Sequence, residues 1–181
     1  MARSLPVDYA PSTPPQRFED WPRWIDDELN RIAVAFRANN VVMAIHGSGT
    51  IPIEITLQTV TLGIGDTPSI DYPGGAWNTL TGEWTCPLSG LYSINASAFL
   101  DAFGAGNKSY YAKLDVYKNN ILIETQIDGG ADDVPLGVSM ATPHIFLVGD
   151  VLRADLSAQH DQFTGDTTYQ YDLNYLRNGG I

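Results

Sequence analysis

Hydrophobic positions change their spacing along this chain. In the segment "EDWPRWIDDELNRIAVAFRANN" apolar side chains recur every three or four residues, which is the period of a helix. From residue 51 the period becomes two, and this alternation returns in "YYAKLDVY", "ILIETQI", "VSMATPHIFLV", "VLRADLS" and "YQYDLNYL". Glycine, proline, asparagine and aspartate separate these segments, as they do at turns. The pattern predicts about eight short strands without helices between them, which is typical of a β-sandwich or barrel.

The first pattern predicts a helix over residues 20–40. Asp20 is placed to cap its start, and Pro22 falls in the first turn, where a missing N–H costs nothing. A helix of this length is marginal by itself, so its apolar stripe needs a cover. That cover could be its own domain, a bundle with other copies, or a partner on which the helix docks. The stripe consists of Trp21, Trp24, Ile25, Leu29, Ile32 and Phe36.

Two segments flank the predicted helix. Residues 1–19 are rich in proline, which favours extended backbone, and they are predicted to form an arm. The arm could be a disordered tail or a latch that docks on a neighbour. Residues 41–50 contain "HGSG" and are predicted to be a flexible linker, leaving residues 51–181 as the β-domain. The latch residues would be Leu5, Pro6, Val7 and Tyr9.

Composition limits the classes of partner. The 181 residues suit one domain with an appendage. The net charge of −11 argues against nucleic acid and against an anionic membrane surface, because both would repel the chain. The single cysteine, Cys86, excludes an internal disulfide and is expected to be buried and inert. The opening residues lack the apolar stretch of a secretory signal, so we expect synthesis as a soluble protein.

The segment "WNTLTGEWTCPLSGLYSINAS", residues 77–97, resembles the signature of the C1q-like and tumour-necrosis-factor-like jelly rolls. Two later segments, "LDVYKNN" and "IFLVGDVLRADLS", are similar to further pieces of that family in the same order. Asn120 stands where the family usually has glycine, and "YQYDLNYL" replaces the usual closing motif. The resemblance implies a mainly β chain, a jelly-roll β-sandwich with an N-terminal extended arm and one α-helix. The matching positions in the first segment are Trp77, Thr81, Gly82, Trp84, Thr85, Cys86, Pro87, Gly90 and Tyr92.

The resemblance also implies a compact homotrimer, since members of this fold class usually assemble around a threefold axis lined with aromatic and aliphatic residues. The chain has nine tyrosines, more than one sandwich needs inside, and a subunit interface would accommodate the surplus. Ordinary core and surface positions are the alternative for part of them. The tyrosines assigned to the trimer interface are Tyr110, Tyr111, Tyr117, Tyr169, Tyr171 and Tyr175.

Candidate chemistry is sparse. The sequence contains no nucleophile elbow, phosphate-binding loop, dinucleotide fingerprint or His-Glu-x-x-His motif, and its three histidines are far apart. We therefore predict that the chain is not an enzyme and needs no metal or cofactor. Two alternatives stay open: the acidic segment Asp128 to Asp133 could hold calcium, and a pair of facing buried carboxylates in one cleft would indicate a glycan depolymerase.

The N-terminal arm and helix look like the anchoring segments of small tailed-bacteriophage virion proteins. Jelly rolls of this type serve there as capsid decoration (cement) proteins, head fibres and tail-fibre tips. The resemblance implies a virion structural protein, assembled in the host cytoplasm and bound to the major capsid protein or another virion protein. The alternative is a tail-fibre tip that recognises a host surface glycan, with aromatic residues beside Asp and Asn near residues 101–108 or 128–135.

Overall fold

The computed structural model describes residues 12–29, 41–72, 74–102, 109–131, 134–161 and 164–179. The chain divides into two compact units, Met1–Val41 and Val42–Ile181. In the first unit a 3-10 turn, Phe18–Asp20, leads into a helix over residues 21–29. The described helix begins one residue after the predicted start at Asp20, which lies in the 3-10 turn, and the remainder of the predicted helix, including Ile32 and Phe36, lies outside the described residues.

Ser12, within the predicted arm, is hydrogen-bonded to this helix. The backbone N–H of Ser12 donates to one carboxylate oxygen of Glu28 (2.9 Å), and the Ser12 hydroxyl donates to the other (2.6 Å). The indole N–H of Trp24 donates to the same serine hydroxyl (2.7 Å). These contacts, together with others, leave only 6% of the Glu28 surface exposed. We call these three residues the clasp. The predicted latch residues Leu5, Pro6, Val7 and Tyr9 lie outside the described residues.

The second unit is built from strands. Eleven are found among the described residues: β1 (Val41–Ile53), β2 (Gln58–Thr61), β3 (Ile70–Asp71), β4 (Trp77–Asn78), β5 (Glu83–Thr85), β6 (Gly90–Leu100), β7 (Ser109–Lys118), β8 (Ile121–Ala131), β9 (Leu136–Phe146), β10 (Val151–His160) and β11 (Gly165–Gly179).

The strands form two sheets whose order defines the fold. The first sheet has the order β3-β1-β11-β6-β9, and the second has the order β4-β5-β10-β7-β8, with β2 also paired to β10. The eight main strands therefore form two four-stranded layers, β1-β11-β6-β9 and β5-β10-β7-β8, and successive strands cross repeatedly from one layer to the other. This arrangement is a jelly roll. The predicted fold class is confirmed.

Alternation along the strands produces the core between the two layers. In β6 every second residue is buried, from Tyr92 through Ile94 to Leu100. In β10 the apolar residues Leu152, Ala154 and Leu156 recur with the same period, while the polar residues Asp155 and Ser157 between them are buried as well. Because strand side chains point alternately to the two faces, one face of each sheet packs inward and the other faces out. The period of two seen in the sequence is therefore the direct cause of the sandwich.

Trp84 is the centre of an aromatic cluster in this core. It is fully buried and makes edge-to-face contacts with Tyr92 and Tyr175, at centroid distances of 5.5 and 5.1 Å. Cys86 follows two residues later and is 1% exposed, and burial raises the pKa of its thiol, which makes it a poor nucleophile. Gly82 has a φ of 66°, the left-handed conformation expected at the turn before β5. The predicted burial of Cys86 is confirmed.

The predicted linker is wrong, because residues 41–50 form most of β1. Its first half is apolar and buried, and the glycines that suggested a joint have a packing role instead. A Cβ added to Gly47 would lie 2.5 Å from the hydroxyl oxygen of Tyr171, and one added to Gly49 would lie 2.6 Å from that of Tyr169. The glycines leave room for two tyrosine rings that lie over β1. The sequence "GSG" alone does not show whether its glycines make the backbone flexible or make space for neighbouring side chains.

Candidate functional site

The tyrosines assigned to a subunit interface do not share one surface. Tyr110, Tyr171 and Tyr175 are 1–2% exposed and belong to the core of a single chain. The hydroxyl of Tyr110 donates to the backbone oxygen of Val134 (2.6 Å), and that of Tyr171 donates to Asp66. Their assignment to the interface is therefore corrected: strand alternation turns these three rings inward, where no partner can reach them.

The other three tyrosines are partly buried. Tyr169 packs against the core beside β1. Tyr111 and Tyr117 lie on the outer face of the second sheet, where the Tyr111 hydroxyl donates to Gln159 (2.8 Å) and the Tyr117 ring lies under the guanidinium of Arg153 (4.8 Å to the centroid). These residues keep exposed area, and they stay candidates for contact with another molecule.

An apolar corner that the sequence analysis did not single out lies at one end of the first sheet. Leu91 of β6 is directly opposite Ile145 of β9, and both are exposed, at 38% and 57%. The next turn carries Leu147 and Val148, which are more than half exposed, and the N–H of Val148 is bonded to Ser89 at the start of β6. The run "IFLV" was the available signal, because four successive apolar residues in a strand cannot all face the core. We define the apolar corner as Leu91, Ile145, Leu147 and Val148.

The neighbouring strand edges are also open. Among the described strands β9 ends the first sheet and β8 ends the second, so each has one edge that no other described strand pairs with. β8 carries Ile121, Leu122 and Ile127 with exposures of 69%, 48% and 57%. Exposed edges bearing apolar side chains favour pairing with other chains and are normally covered or blocked by charge. The β8–β9 side of the sandwich therefore has the character of an assembly surface.

Two carboxylates face each other on the outside of the second sheet. Asp115 of β7 is paired with Asp155 of β10, and their side chains are only 3% and 9% exposed. Lys113 binds Asp115 (2.6 Å), and this bond raises the pKa of the lysine, while Arg153 binds both oxygens of Asp155 (3.1 and 3.2 Å). Thr125 completes the shell of Asp115 by donating to it (2.6 Å).

This pair does not form the arrangement that would indicate a glycan depolymerase. Each aspartate is matched by a cation from its own strand and by a threonine hydroxyl, and Thr61 supplies the hydroxyl for Asp155 (2.8 Å). Neither aspartate lines the nearby cleft described below. An acid–base pair needs its carboxyl groups to reach a substrate. The described geometry is that of an ion network that stabilises the face of a sheet.

The possible calcium segment gives no site within the described part of the chain. Asp128 accepts a hydrogen bond from the N–H of Gly129, and Asp132 and Asp133 lie outside the described residues. Among the described residues no three His, Cys, Asp or Glu side chains come together in a way that could hold a metal ion. None of the described helices is long and apolar enough to cross a membrane.

A cluster of hydrogen-bonded polar side chains around Asp150, which we call the polar knot, lies at one end of the second sheet. Asp150 accepts hydrogen bonds from the backbone N–H of Leu147 (2.8 Å), the ammonium of Lys118 (2.8 Å) and the amide of Asn119 (2.7 Å). Asn119 in turn accepts from the N–H of Val151 (2.8 Å). Burial alone would raise the pKa of Asp150, but these three donors outweigh it and hold the pKa below its usual value. The knot ties the β9–β10 turn to the β7–β8 turn.

Replacement of Asp150 by asparagine is expected to destabilise the fold by about 1–3 kcal/mol at neutral pH, because the amide nitrogen of asparagine would face hydrogen-bond donors.

The effect should depend on pH, because the pKa of Asp150 is lower in the folded than in the unfolded chain. The carboxylate stabilises the fold at pH values above its unfolded pKa, and this stabilisation is lost as the pH falls through the folded pKa. Urea denaturation of both proteins between neutral and strongly acid pH should show their difference shrinking. Asp172→Asn, in an exposed pair with His46, is the control; an equal effect there would contradict the interpretation.

The β7–β8 turn beside the knot consists of Asn119 and Asn120, with φ values of 51° and 63°. Both are left-handed, as a two-residue hairpin turn requires. Asparagine at position 120 therefore does adopt the conformation for which the family usually has glycine. This substitution has a second effect, because it adds an amide to the rim of a cleft on the outer face of the sheet. The oxygen of that amide accepts from the guanidinium of Arg153 (3.2 Å).

The sequence matches no protein-family model and no curated protein. Several solved structures are similar to the chain. The globular domain of zebrafish complement 1qA protein is 14% identical, with a TM-score of 0.46 over 77% of this chain and 99% of that one. Eiger TNF from S. frugiperda is 12% identical (TM-score 0.43, 74% and 94%), and murine APRIL at pH 5.0 is 9% identical (0.42, 73% and 98%). By its own strand order the chain has a jelly-roll fold.

Proposed function

We propose that this protein is a homotrimeric structural protein of a tailed-bacteriophage virion, of the capsid decoration or head-fibre type. The jelly rolls form the trimer, and the N-terminal unit anchors it to the major capsid protein or another virion protein. The observation that carries the assembly part is the apolar corner beside two open strand edges, because a lone chain would leave this area in water. The number of three copies rests on the resemblance of residues 77–97 to C1q-like and TNF-like domains.

The anchoring part rests on the N-terminal unit. It is a compact unit separate from the sandwich, and its helix exposes Trp21, Ile25 and Leu29 at 37%, 43% and 58%. These residues recur every four positions and so lie along one stripe. A helix that keeps an apolar stripe exposed fits a groove on a partner. The predicted anchoring stripe therefore gains support at Trp21, Ile25 and Leu29, whereas Trp24 is partly buried and belongs to the clasp.

Light scattering on the purified protein is expected to give a mass close to three times the 19.7 kDa of one chain. Ile145→Glu should weaken assembly by roughly 100-fold or more, because it would place an unpaired charge in an apolar interface. Since Ile145 is exposed in one chain, the fold of the chain should survive. The β-sheet circular dichroism spectrum of the variant checks this.

Leu80→Glu is the matched control, because Leu80 is 83% exposed and lies in the turn before β5, away from the two edge strands. We expect this variant to assemble like the unmodified protein. A stable monomer of the unmodified chain at micromolar concentration would contradict the trimer. If the two glutamate variants assembled equally well, the apolar corner would not be part of the interface.

A further inference from the structure

The outer face of the second sheet carries a polar cleft of about 320 Å³. Its floor is the start of β10, its first wall is β5, and its second wall is the end of β7 with the turn that follows. This position is on the opposite sheet from the apolar corner. The cleft is lined by Glu83, Tyr117, Asn119, Asn120, Val151 and Arg153.

Arg153 is fixed in the middle of the cleft. Its Nε donates to Asp155, one terminal nitrogen donates to Asn120, and its plane lies over the Tyr117 ring. A side chain held on three sides loses little further freedom when a ligand binds, so the cost of ordering it has largely been met on folding. The Asn120 turn is held in the same way, since Asn119 is bonded to both Asp150 and Val151. The cleft is thus preformed.

Free hydrogen-bonding capacity remains on both walls. Glu83 accepts one bond from Thr81 (2.9 Å) through Oε2, and within the described residues its Oε1 has no partner. The Asn120 oxygen is used by Arg153, and its two N–H donors have no partner within the described residues. One wall therefore offers an acceptor and the other offers donors. Val151 and the Tyr117 ring supply apolar surface between them.

We propose that this cleft binds a short neutral saccharide. Charge disfavours the other ligand classes: an anion would meet Glu83 and the net charge of −11, and a cation would meet Arg153. An apolar ligand would strip water from the carboxylate and the amide without replacing their bonds. Sugar hydroxyls each donate and accept, which matches the two walls, while the C–H face of the ring suits Val151 and Tyr117. The volume is at the small end for ligand pockets, which favours a short saccharide.

None of the cleft residues belongs to the segments 101–108 and 128–135, which the sequence had suggested for glycan recognition. Residues 103–108, 132 and 133 are outside the described part of the chain. The proposal does not depend on trimerisation or on attachment to a virion, because every residue of the cleft comes from the sandwich of one chain. Failure of the proposed function would therefore leave this inference standing, and the reverse also holds.

The test is a titration of the isotope-labelled full chain with glucose, galactose, mannose, N-acetylglucosamine and their disaccharides, followed by NMR. We expect at least one sugar to shift the side-chain signals of Asn120 and Arg153, with a dissociation constant of roughly 1 mM. Asn120→Gly keeps the left-handed turn and removes the amide, so it should weaken binding about 5-fold. Glu83→Gln keeps the shape and removes the charge, and should weaken binding about 10-fold.

Glu54→Gln is the matched control, because it makes the same chemical change outside the cleft and should bind like the unmodified chain. Unchanged signals from the rest of the sandwich verify that each variant is folded. The proposal is overturned if no sugar shifts the two cleft signals, or if both cleft variants bind as well as the control. It is also overturned if phosphate or methylammonium, added as charged probes, occupies the cleft and the sugars do not.

Discussion

Trp84→Ala is expected to lower the free energy of unfolding by about 3–5 kcal/mol, which is a large part of the 5–15 kcal/mol typical of a domain. The side chain is fully buried and contacts the rings of Tyr92 and Tyr175 edge to face. Truncation removes this apolar contact and leaves a cavity between the two sheets, because a backbone fixed by sheet pairing can relax only in part. Urea denaturation followed by circular dichroism measures the loss.

Trp84→Phe separates ring packing from hydrogen bonding at the same position. The indole nitrogen of Trp84 is buried without a hydrogen-bond partner among the described residues. Phenylalanine keeps much of the ring contact and removes this unsatisfied donor, so its cost should be clearly below that of alanine. If the two variants were equally unstable, the aromatic cluster would not be the source of the stability, and the assignment of Trp84 as its centre would be wrong.

Removal of residues 1–40 is expected to abolish attachment to virus particles while leaving the sandwich folded. The chain divides at Val41, and the core consists of residues from position 42 onward. The truncated chain should therefore keep its β-sheet spectrum and its trimeric mass. The measurement is co-sedimentation with particles that lack this protein, comparing the truncated chain with the full chain.

A second truncation distinguishes the arm from the helix. Removal of residues 1–11 deletes the predicted latch residues and keeps Ser12, so the bonds from Ser12 and Trp24 that hold Glu28 can form. Loss of attachment in this shorter truncation would assign anchoring to the arm, and retained attachment would assign it to the helix stripe. Equal binding by the full chain and by the chain lacking residues 1–40 would contradict an N-terminal anchor, and would move that role to the jelly roll.

Sequence periodicity was sufficient for the fold class but not for the orientation of individual side chains. A period of two indicates that neighbouring side chains point to opposite faces of the sheet. It does not indicate which of the two side chains is buried. Tyr110 and Tyr111 are adjacent in β7, and only the first is buried, because the pairing of β7 with β10 and β8 sets the phase. For the same reason the assignment of Tyr171 and Tyr175 to an interface was wrong, although the strand that carries them was predicted.

The cleft and the apolar corner show a different limit of sequence reasoning. Glu83 and Arg153 are seventy positions apart in the chain, yet they are direct cross-strand neighbours on β5 and β10. No spacing rule connects such residues, since their proximity depends on which strands pair and in which register. The glycines of β1 are a related case, because their role depends on tyrosine rings that arrive from β11. Motifs confined to one turn, such as Gly82 before β5, were the ones that the sequence could specify.

The clasp between the arm and the helix has a consequence for the speed of docking. Ser12 is already bonded to Glu28, and Trp24 is already bonded to Ser12, before any partner arrives. Residues 12–29 therefore present themselves as one preorganised element, and an encounter with a partner need not wait for this stretch to search for its bound conformation. Association that requires no rearrangement proceeds near the upper part of the usual range, roughly 10⁵–10⁷ M⁻¹s⁻¹. Removing the acceptor of the clasp, for example by Glu28→Ala, should lower that rate while leaving the proposed docking residues Trp21, Ile25 and Leu29 in place.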